Sequence, residues 1–378
     1  MTISIEMAIE KGILGNCEIF AGGDGIKKSI EKVGILDYES PDEILEYFKY
    51  GELVLSSLLV LSDGKYSFDD YLKKLIEVGT SAILIKKMSK DYLKPEHKKI
   101  ADEHDFPIIV FEGVFFEDII LEIENMNKMD EDQALLEFKI DQMISSDLSK
   151  VIIKGLVNEI NPNFQDVLAV VYLKRKDGSE PHSRLVDFNQ VEKHDELIRY
   201  HGGYLYVITF KERCGKLLKE LARIRLNLIG IDISKWNIAT SRIHDSKLEI
   251  DLAIQEAIYT HRHIDAYGKC FESYEGIGTD RIYLPILENK WVQDYYENMI
   301  FAIENYDMKQ NTELLKTAEW YVHYHGSIKA VANELDQHDN TIRYRINKIG
   351  ELTKCDHQED LYEQLIATIR IHKLMKKR

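Results

Sequence analysis

The sequence predicts three structural parts: an α/β domain at the N-terminus, an α+β domain in the middle and an all-α domain at the C-terminus. Three observations carry this reading. Short apolar runs of strand length alternate with helical patterns over residues 1–125. Longer strand-like runs flank helices over 164–284. Only helical periodicity remains beyond that. A chain of 378 residues is long enough for two or three domains, each with its own core.

In the first part, Leu53-Val54-Leu55, Ala82-Ile83-Leu84-Ile85 and Pro107-Ile108-Ile109-Val110-Phe111 read as buried strands. The stretches Phe68 to Val78 and Pro95 to His104 between them read as helices, so the sheet is expected to be largely parallel. Pro107 stands at a strand start, where its missing N–H does least harm. The loop Ala21-Gly22-Gly23-Asp24-Gly25 has neither the GxGxxG nor the GxxxxGK[ST] order, and reads as a plain turn rather than a phosphate cradle. Polar groups at strand ends line crevices in such sheets, which makes Gly51, Ser56, Ser57 and Lys86 candidate ligand-binding residues. The alternative is that Ser56 and Ser57 simply end a strand.

From about Phe115 to Ile160 the pattern is helical, and the acid-rich stretch Glu124 to Gln133 reads as a linker. The apolar residues around it serve either a second subunit or their own domain. In the middle part, Val167 to Leu173, Tyr204 to Phe210 and Ile238 to Ser241 read as strands, and Leu248 to His263 as a long helix. His261-Arg262-His263 and His323-Tyr324-His325 place histidines at i and i+2, on different helix faces, which is wrong for sharing one metal. They read as charged or solvent-exposed helix ends. No Ser/His/Asp set, Cys/His set or paired acids stand out, so no catalytic residue, metal or cofactor is expected.

The last part is built around Ser327 to Ile346. Ile328, Val331, Ala332 and Leu335 make one apolar stripe, polar Asp336-Gln337-His338 interrupts it, and Ile342, Ile346 and Ile349 make a second. This reads as two short helices, 327–335 and 339–353, with Asp339 or Asn340 capping the second. Stepping about 100° per residue from Ile342 turns Asn340, Tyr344 and Asn347 away from the core. Thr341 and Lys348 flank them on one side and Arg343 on the other, with Arg345 nearer the core edge. Amide, hydroxyl, aromatic and cationic groups on one face suit a helix that reads base edges and grips phosphates in a major groove. An ordinary solvated face in a small bundle is the other reading of the same pattern. Thr312 is the expected cap of the preceding helix, and Leu361, Leu365, Ile369 and Leu374 mark a final helix with a basic end at Lys373 and Lys376-Lys377-Arg378.

The run His338-x-Asn340-Thr341-Ile342-Arg343-Tyr344-Arg345-Ile346-x-Lys348-Ile349, with Leu314-Leu315-Lys316-Thr317, Gly326-Ser327 and Val331-Ala332, resembles the C-terminal Fis-like helix-turn-helix of the PucR (purine catabolism regulator) family. The N-terminal part resembles that family's first domain through Ala21-Gly22-Gly23-x-Gly25, Pro41-Asp42, Gly51 to Ser57, Gly79, Ile85-Lys86 and Pro107-Ile108. The middle part resembles the degenerate GGDEF-like domain of PucR and CdaR regulators. Gly202-Gly203 lies where a cyclase turn would lie, but Tyr204 and Leu205 replace the acids that would hold Mg²⁺. One departure is Asp339, where the family usually has a basic residue; a carboxylate there is repelled by phosphate.

The resemblance implies a ligand-responsive transcription regulator that binds paired half-sites as a homodimer or larger homo-oligomer and answers a small catabolic metabolite. Its domains would be 1–125 (PucR-like, sensory or assembly), 126–163 (helical linker), 164–284 (degenerate GGDEF-like), 285–311 (helical connector) and 312–378 (helix-turn-helix). The expected DNA contacts are Asn340, Thr341, Arg343, Tyr344 and Asn347 to bases or adjacent phosphates, with Arg345 and Lys348 mainly on phosphates. Double-stranded operator DNA is the expected partner. A net charge of −16 argues against a generic nucleic-acid binder, but residues 311–378 hold eleven Lys and Arg against ten Asp and Glu, so the acid lies elsewhere. Four scattered cysteines (Cys17, Cys214, Cys270, Cys355), no span of about 18 apolar residues and no signal-like start fit a cytoplasmic protein without a membrane segment. Two alternatives are a nucleotide-processing enzyme in the middle domain and an interaction scaffold whose C-terminal helices bind protein.

Overall fold

The computed structural model describes residues 3–145, 148–179, 190–213, 218–355 and 358–376, and divides into two compact units, Met1–Leu135 and Leu136–Arg378. Among the described residues no helix is long and apolar enough to cross a membrane. Cys17, Cys270 and Cys355 form no disulfide, and Cys214 lies outside the described residues.

The first unit is a five-stranded sheet with helices on both faces. Its strands are β1 (Asn16–Ala21), β2 (Lys32–Leu36), β3 (Glu52–Ser56), β4 (Ala82–Lys86) and β5 (Ile108–Glu112), in the order β1-β5-β4-β3-β2. Strands β2 to β5 are mutually parallel, and β1 runs antiparallel to β5. The three central strands are the three apolar runs of the sequence. The edge strands β1 and β2 were not expected, because an edge strand needs no continuous apolar run; Asn16–Ala21 is mostly exposed. The helices are α1 (Ile5–Glu10), α2 (Ile44–Tyr47), α3 (Phe68–Val78), α4 (Pro95–Glu103) and α5 (Phe116–Ser145). One face of the sheet buries Val54, Ile83 and Ile85 against Phe68, Leu72 and Leu75 of α3. The other buries Leu53, Leu84 and Ile109 against Ile5 of α1 and Ile119 and Ile123 of α5. Each such side chain contributes roughly 1.5–3 kcal/mol by leaving water.

Two readings of this unit meet the structure directly. The acid-rich stretch Glu124 to Gln133 is helical, part of the 30-residue α5, because its apolar residues keep helical spacing beneath the charges. The Gly22–Gly25 segment is a tight turn. A Cβ on Gly25 would lie 1.9 Å from the Asp105 carbonyl oxygen, and the Gly22 N–H already donates to the Asp102 carboxylate at 2.7 Å. A carboxylate holding that N–H would repel a phosphate.

The second unit contains a mixed sheet of β6 (Val167–Arg175), β7 (Glu196–Tyr200), β8 (Gly203–Phe210), β9 (Trp236–Thr240) and β10 (Phe271–Ser273), in the order β10-β9-β6-β8-β7. Only β9 and β10 pair in parallel. Helices α6 (Lys150–Ile160), α7 (Leu218–Leu228) and α8 (Ile250–Tyr267) cover it. Leu168, Val170 and Leu205 pack under α8, while Val171, Leu173 and Tyr204 pack under α7. A short α9 (Asp280–Tyr283) precedes five helices: α10 (Lys290–Gln310), α11 (Leu314–His323), α12 (Ile328–Glu334), α13 (Asp339–Thr353) and α14 (Gln358–Met375). These five share a core of Ile303, Leu314, Val331, Ile342, Ile346 and Leu365, among others.

The middle histidines correct the sequence reading. His261 and His263 are 3% and 6% exposed, not at a solvated helix end. Helix α8 is covered by the sheet on one side and by α14 and the turns flanking α9 on the other, so residues i and i+2 are both buried.

Candidate nucleic-acid interface

Helix α12 starts at Ser327, whose Oγ accepts the Ala330 N–H at 3.4 Å, and buries Val331 and Ala332. Small Ala332 lets α13 approach closely. The chain then turns through Asp336 at φ 50°, a left-handed position that a short acidic side chain tolerates. The cap of α13 is His338 rather than Asp339 or Asn340: its Nδ1 accepts the Asn340 N–H at 3.2 Å. Asp339 is instead the first helical residue, where a carboxylate complements the helix dipole. The preceding helix α11 also has an unexpected cap. The Asp307 carboxylate, reaching from α10, accepts the N–H groups of Leu314 and Leu315 at 2.7 and 3.0 Å. Thr312, the expected cap, donates its hydroxyl to that same carboxylate.

Along α13, Ile342, Ile346, Ile349 and Gly350 are buried, which locks the helix's rotation. The seven expected contact residues then divide into three groups. Asn340, Arg343 and Asn347 are exposed, and their side chains have no hydrogen-bond or ion-pair partner among the described residues. Thr341 is half-buried beside them. Tyr344 is 63% exposed and lies near Tyr306 on α10. Arg345 and Lys348 are already engaged within the protein. Arg345 is 16% exposed; its guanidinium donates to Thr317 Oγ1 at 3.0 Å and lies 3.9 Å from Glu313. This ties α13 to α11 and departs from the expected phosphate role. Lys348 Nζ is 2.8 Å from Glu351 and 5.3 Å from the Tyr306 ring centroid; the hydrogen bond to Glu351 raises its pKa. Lys329 on α12 and Lys354 after α13 are exposed cations that sequence periodicity did not single out. The supports Asp307, Tyr306 and Thr317 were equally invisible, because they sit on other helices and act through tertiary contact.

The candidate ligand residues of the first unit do not form one site. Gly51 precedes β3 and lines a cavity of 320 Å³ with Lys28, Tyr50, Thr80 and Ser81. Ser56, Ser57 and Lys86 lie at the opposite, C-terminal ends of β3 and β4. Ser56 is fully buried, donating to the Leu36 carbonyl and accepting the Leu58 N–H, so it closes a turn. The Ser57 carbonyl accepts from Ser89, and Lys86 Nζ stands 4.3 Å from the Phe116 ring centroid.

Among the described residues, Asp69, Glu96 and His97 bring ligand-type atoms within 4.8 Å of one another. His97 Nδ1 accepts the Lys94 N–H at 3.0 Å, which leaves the ring proton on Nε2, facing Asp69 at 3.5 Å. A metal would need the lone pair that this proton occupies. Burial lowers the His97 pKa and keeps the ring neutral. The group serves as the start of α4. In the middle sheet, the β7–β8 turn at His201 and Gly202 has φ of 42° and 71°, as a two-residue hairpin requires. Tyr204 and Leu205 beyond it are fully buried, with the Tyr204 ring 5.8 Å from that of Trp236.

Helices α12 and α13, packed with α10, α11 and α14 around one core, have the helix-turn-helix arrangement of DNA-binding domains. Residues 8–126 match the purine catabolism regulatory protein-like family, and residues 314–363 match the PucR C-terminal helix-turn-helix domain. The two ends of the chain thus match domains of the PucR family of regulators, and the middle domain is assigned by neither match. It is 39% identical over 84 residues to the proline-responsive transcriptional activator PutR of Bacillus subtilis (strain 168), a match spanning 22% of this chain and 20% of the relative. The crystal structure of a regulator of polyketide synthase expression from Bifidobacterium adolescentis overlaps 63% of this chain and 99% of its own, at 14% identity and a TM-score of 0.27, too weak to carry a fold argument.

Proposed function

We propose that the protein binds operator DNA through α13 of paired modules and adjusts transcription of catabolic genes to a small metabolite. The observation that carries this is the uncommitted face of Asn340, Arg343 and Asn347 on a helix whose opposite face is wholly buried. A buried face fixes the helix's orientation, and exposed amide and guanidinium groups suit bidentate contacts to adenine and guanine. Asn340, Arg343 and Asn347 read bases, Thr341 and Tyr344 contact bases or neighbouring phosphates, and Lys348 holds phosphate after release from Glu351. Arg345 acts by positioning α13 against α11.

The near balance of charge over residues 311–378 gives one module few phosphate contacts, which supports a homodimer or larger assembly on half-sites about 34 Å apart. The domain division given by the sequence goes with this reading: 1–125 senses or assembles, 126–163 links, 164–284 is a degenerate GGDEF-like scaffold, 285–311 connects and 312–378 binds DNA. Tyr204 and Leu205, buried where metal-holding acids would stand, support a scaffold without cyclase chemistry. The proline-responsive relative favours a nitrogen-containing metabolite as effector. Such a regulator works in the cytoplasm, where its DNA is. Fluorescence anisotropy on the protein's own upstream DNA and on a scrambled duplex, across a salt series, tests the proposal. Tighter binding to the native duplex with a steep negative salt slope is expected. Equal binding to both duplexes rejects sequence-specific regulation.

A further inference from the structure

A cavity of 780 Å³ opens in the second unit where β9 and β10 end at Thr240 and Ser273. These are the two parallel strands of that sheet, and crevices beyond the carboxyl ends of parallel strands are where open sheets take ligands. It is not the place of a cyclase hairpin. The register pairs Val171 of β6 with Thr240, but Lys174, toward the other end of β6, with Gly203 at the hairpin turn.

The wall carries both signs of charge. Most of it is internally matched: Arg213 pairs with Asp245 at 2.6 Å, Arg242 with Glu256, and His244 with Glu249 and Glu256 at 3.0 and 3.1 Å. Two charged wall residues have no ion-pair partner among the described residues, one of each sign: Lys219 and Glu275. Thr240 is 1% exposed, and its hydroxyl oxygen has no hydrogen-bond partner among the described residues. An unmatched buried hydroxyl is costly unless something completes it. Leu252 and Phe271 add apolar surface. One cation without an ion pair, its Nζ 4.5 Å from the Phe271 ring centroid, one unpaired anion, an unsatisfied hydroxyl and an apolar wall are complementary to a small molecule bearing a carboxylate, an ammonium and a short apolar body.

We infer that this cavity binds an amino-acid zwitterion, its carboxylate at Lys219, its ammonium at Glu275 and a polar atom at Thr240. The binding half of the inference stands without DNA; the regulatory half rests on the proposed function. For that half the structure supplies a contiguous route. Arg242 and His244 at the cavity both hold Glu256 of α8. Farther along α8, His263 meets the buried Asp280 at 2.8 Å, and Asp280 accepts from Arg370 of α14 at 2.8 Å. Helix α14 packs on the helix-turn-helix core through Leu361, Leu365 and Ile369. Ligand that shifts Arg242 or His244 therefore acts on the element that carries the DNA-binding domain.

The test is isothermal titration calorimetry of the full chain against each common amino acid in turn, L-proline included. At least one is expected to bind saturably, and its N-acetyl and carboxamide derivatives to bind at least about tenfold more weakly, since each lacks one charge. Lys219→Gln and Glu275→Gln lie on the surface and leave the unfolding temperature unchanged; each is expected to weaken the same amino acid by about tenfold. Thr240→Val, matched in shape, reads the hydroxyl alone. Absence of binding by every amino acid overturns the inference, as does binding that neither charge substitution weakens. Amino-acid binding that leaves operator affinity unchanged overturns the regulatory half alone. A protein that binds no operator at all overturns the proposed function, while the calorimetry still decides the cavity.

Discussion

Helices α8 and α13 are 18 and 15 residues long, and both carry polar groups through their middle turns, but the two sets are used in opposite ways. On α8, Glu256, His261 and His263 are buried, and each meets a charged partner: Arg242 and His244, Asp265, and Asp280 respectively. On α13, Asn340, Arg343 and Asn347 point into solvent without partners among the described residues. Burying a polar group costs free energy unless it is matched; on α8 both Glu256 oxygens are matched, and His261 and His263 are each matched at Nδ1, with Nε2 lacking a partner among the described residues. An exposed polar group is already solvated and costs the fold nothing, so the α13 face is available for a ligand. Partnering, not residue type, distinguishes structural polarity from binding polarity here.

The largest test of this contrast is Glu256→Ala. It leaves buried His244 without its deeper carboxylate and should cost about 3 kcal/mol. Urea denaturation would show the loss, and the folded fraction should bind DNA with unchanged sequence preference. A variant as stable as the parent would break the contrast from the α8 side. On the α13 side, Arg343→Ala should leave stability within about 0.5 kcal/mol and cost roughly 1–3 kcal/mol on the specific duplex, with relaxed discrimination at one position. Loss of stability instead would mean that Arg343 has a structural partner.

Arg345 and Lys348 sharpen the boundary between the two uses. Arg345→Ala should lower stability by about 1 kcal/mol, through loss of its bond to Thr317, and weaken all duplexes without changing the salt slope. If the salt slope falls, Arg345 holds phosphate as its sequence position suggested. Lys348→Ala should weaken all sequences alike and reduce the salt slope by about 1.

The smallest effect is a pH dependence in the middle sheet. Burial raises the Glu196 carboxyl from 4.5 to about 7, opposed by its hydrogen bond from Asn161. The folded state thus holds this proton more tightly than the unfolded chain does. The contribution is fully present below pH 4.5 and is lost as pH rises toward 7. Glu196→Gln should remove that decline and raise the unfolding temperature at pH 8 relative to the parent. A parent whose melting point is flat across this window would show that Glu196 is solvated.

Much of the molecule was legible from the chain alone. Strands β3, β4, β5, β6, β8 and β9 are each an apolar or alternating run, and α3 spans the very residues its period marks out. The recognition helix followed from Ile342, Ile346 and Ile349. Edge strands β1, β2, β7 and β10 were not legible, since short strands interrupted by polar residues or glycine carry no continuous apolar signal. Nor were the caps at His338 and Asp307. Many side chains can accept a helix N–H, and which one does so depends on where a distant backbone comes to rest.

Periodicity is a one-dimensional property, and it determined which residues of α13 turn inward and which outward. It determined likewise that the first domain layers helices on a parallel-centred sheet, and that the hairpin after Gly203 lacks metal-holding acids. Only the tertiary structure decided which outward groups are free. Arg345 is taken up by Thr317 and Lys348 by Glu351, while Ser56 closes a turn far from Gly51. It alone gathered Thr240, Lys219 and Glu275 around one cavity. The reason is physical: burial period is written along the chain, whereas charge pairing and cavities depend on residues that approach only after the layers have packed.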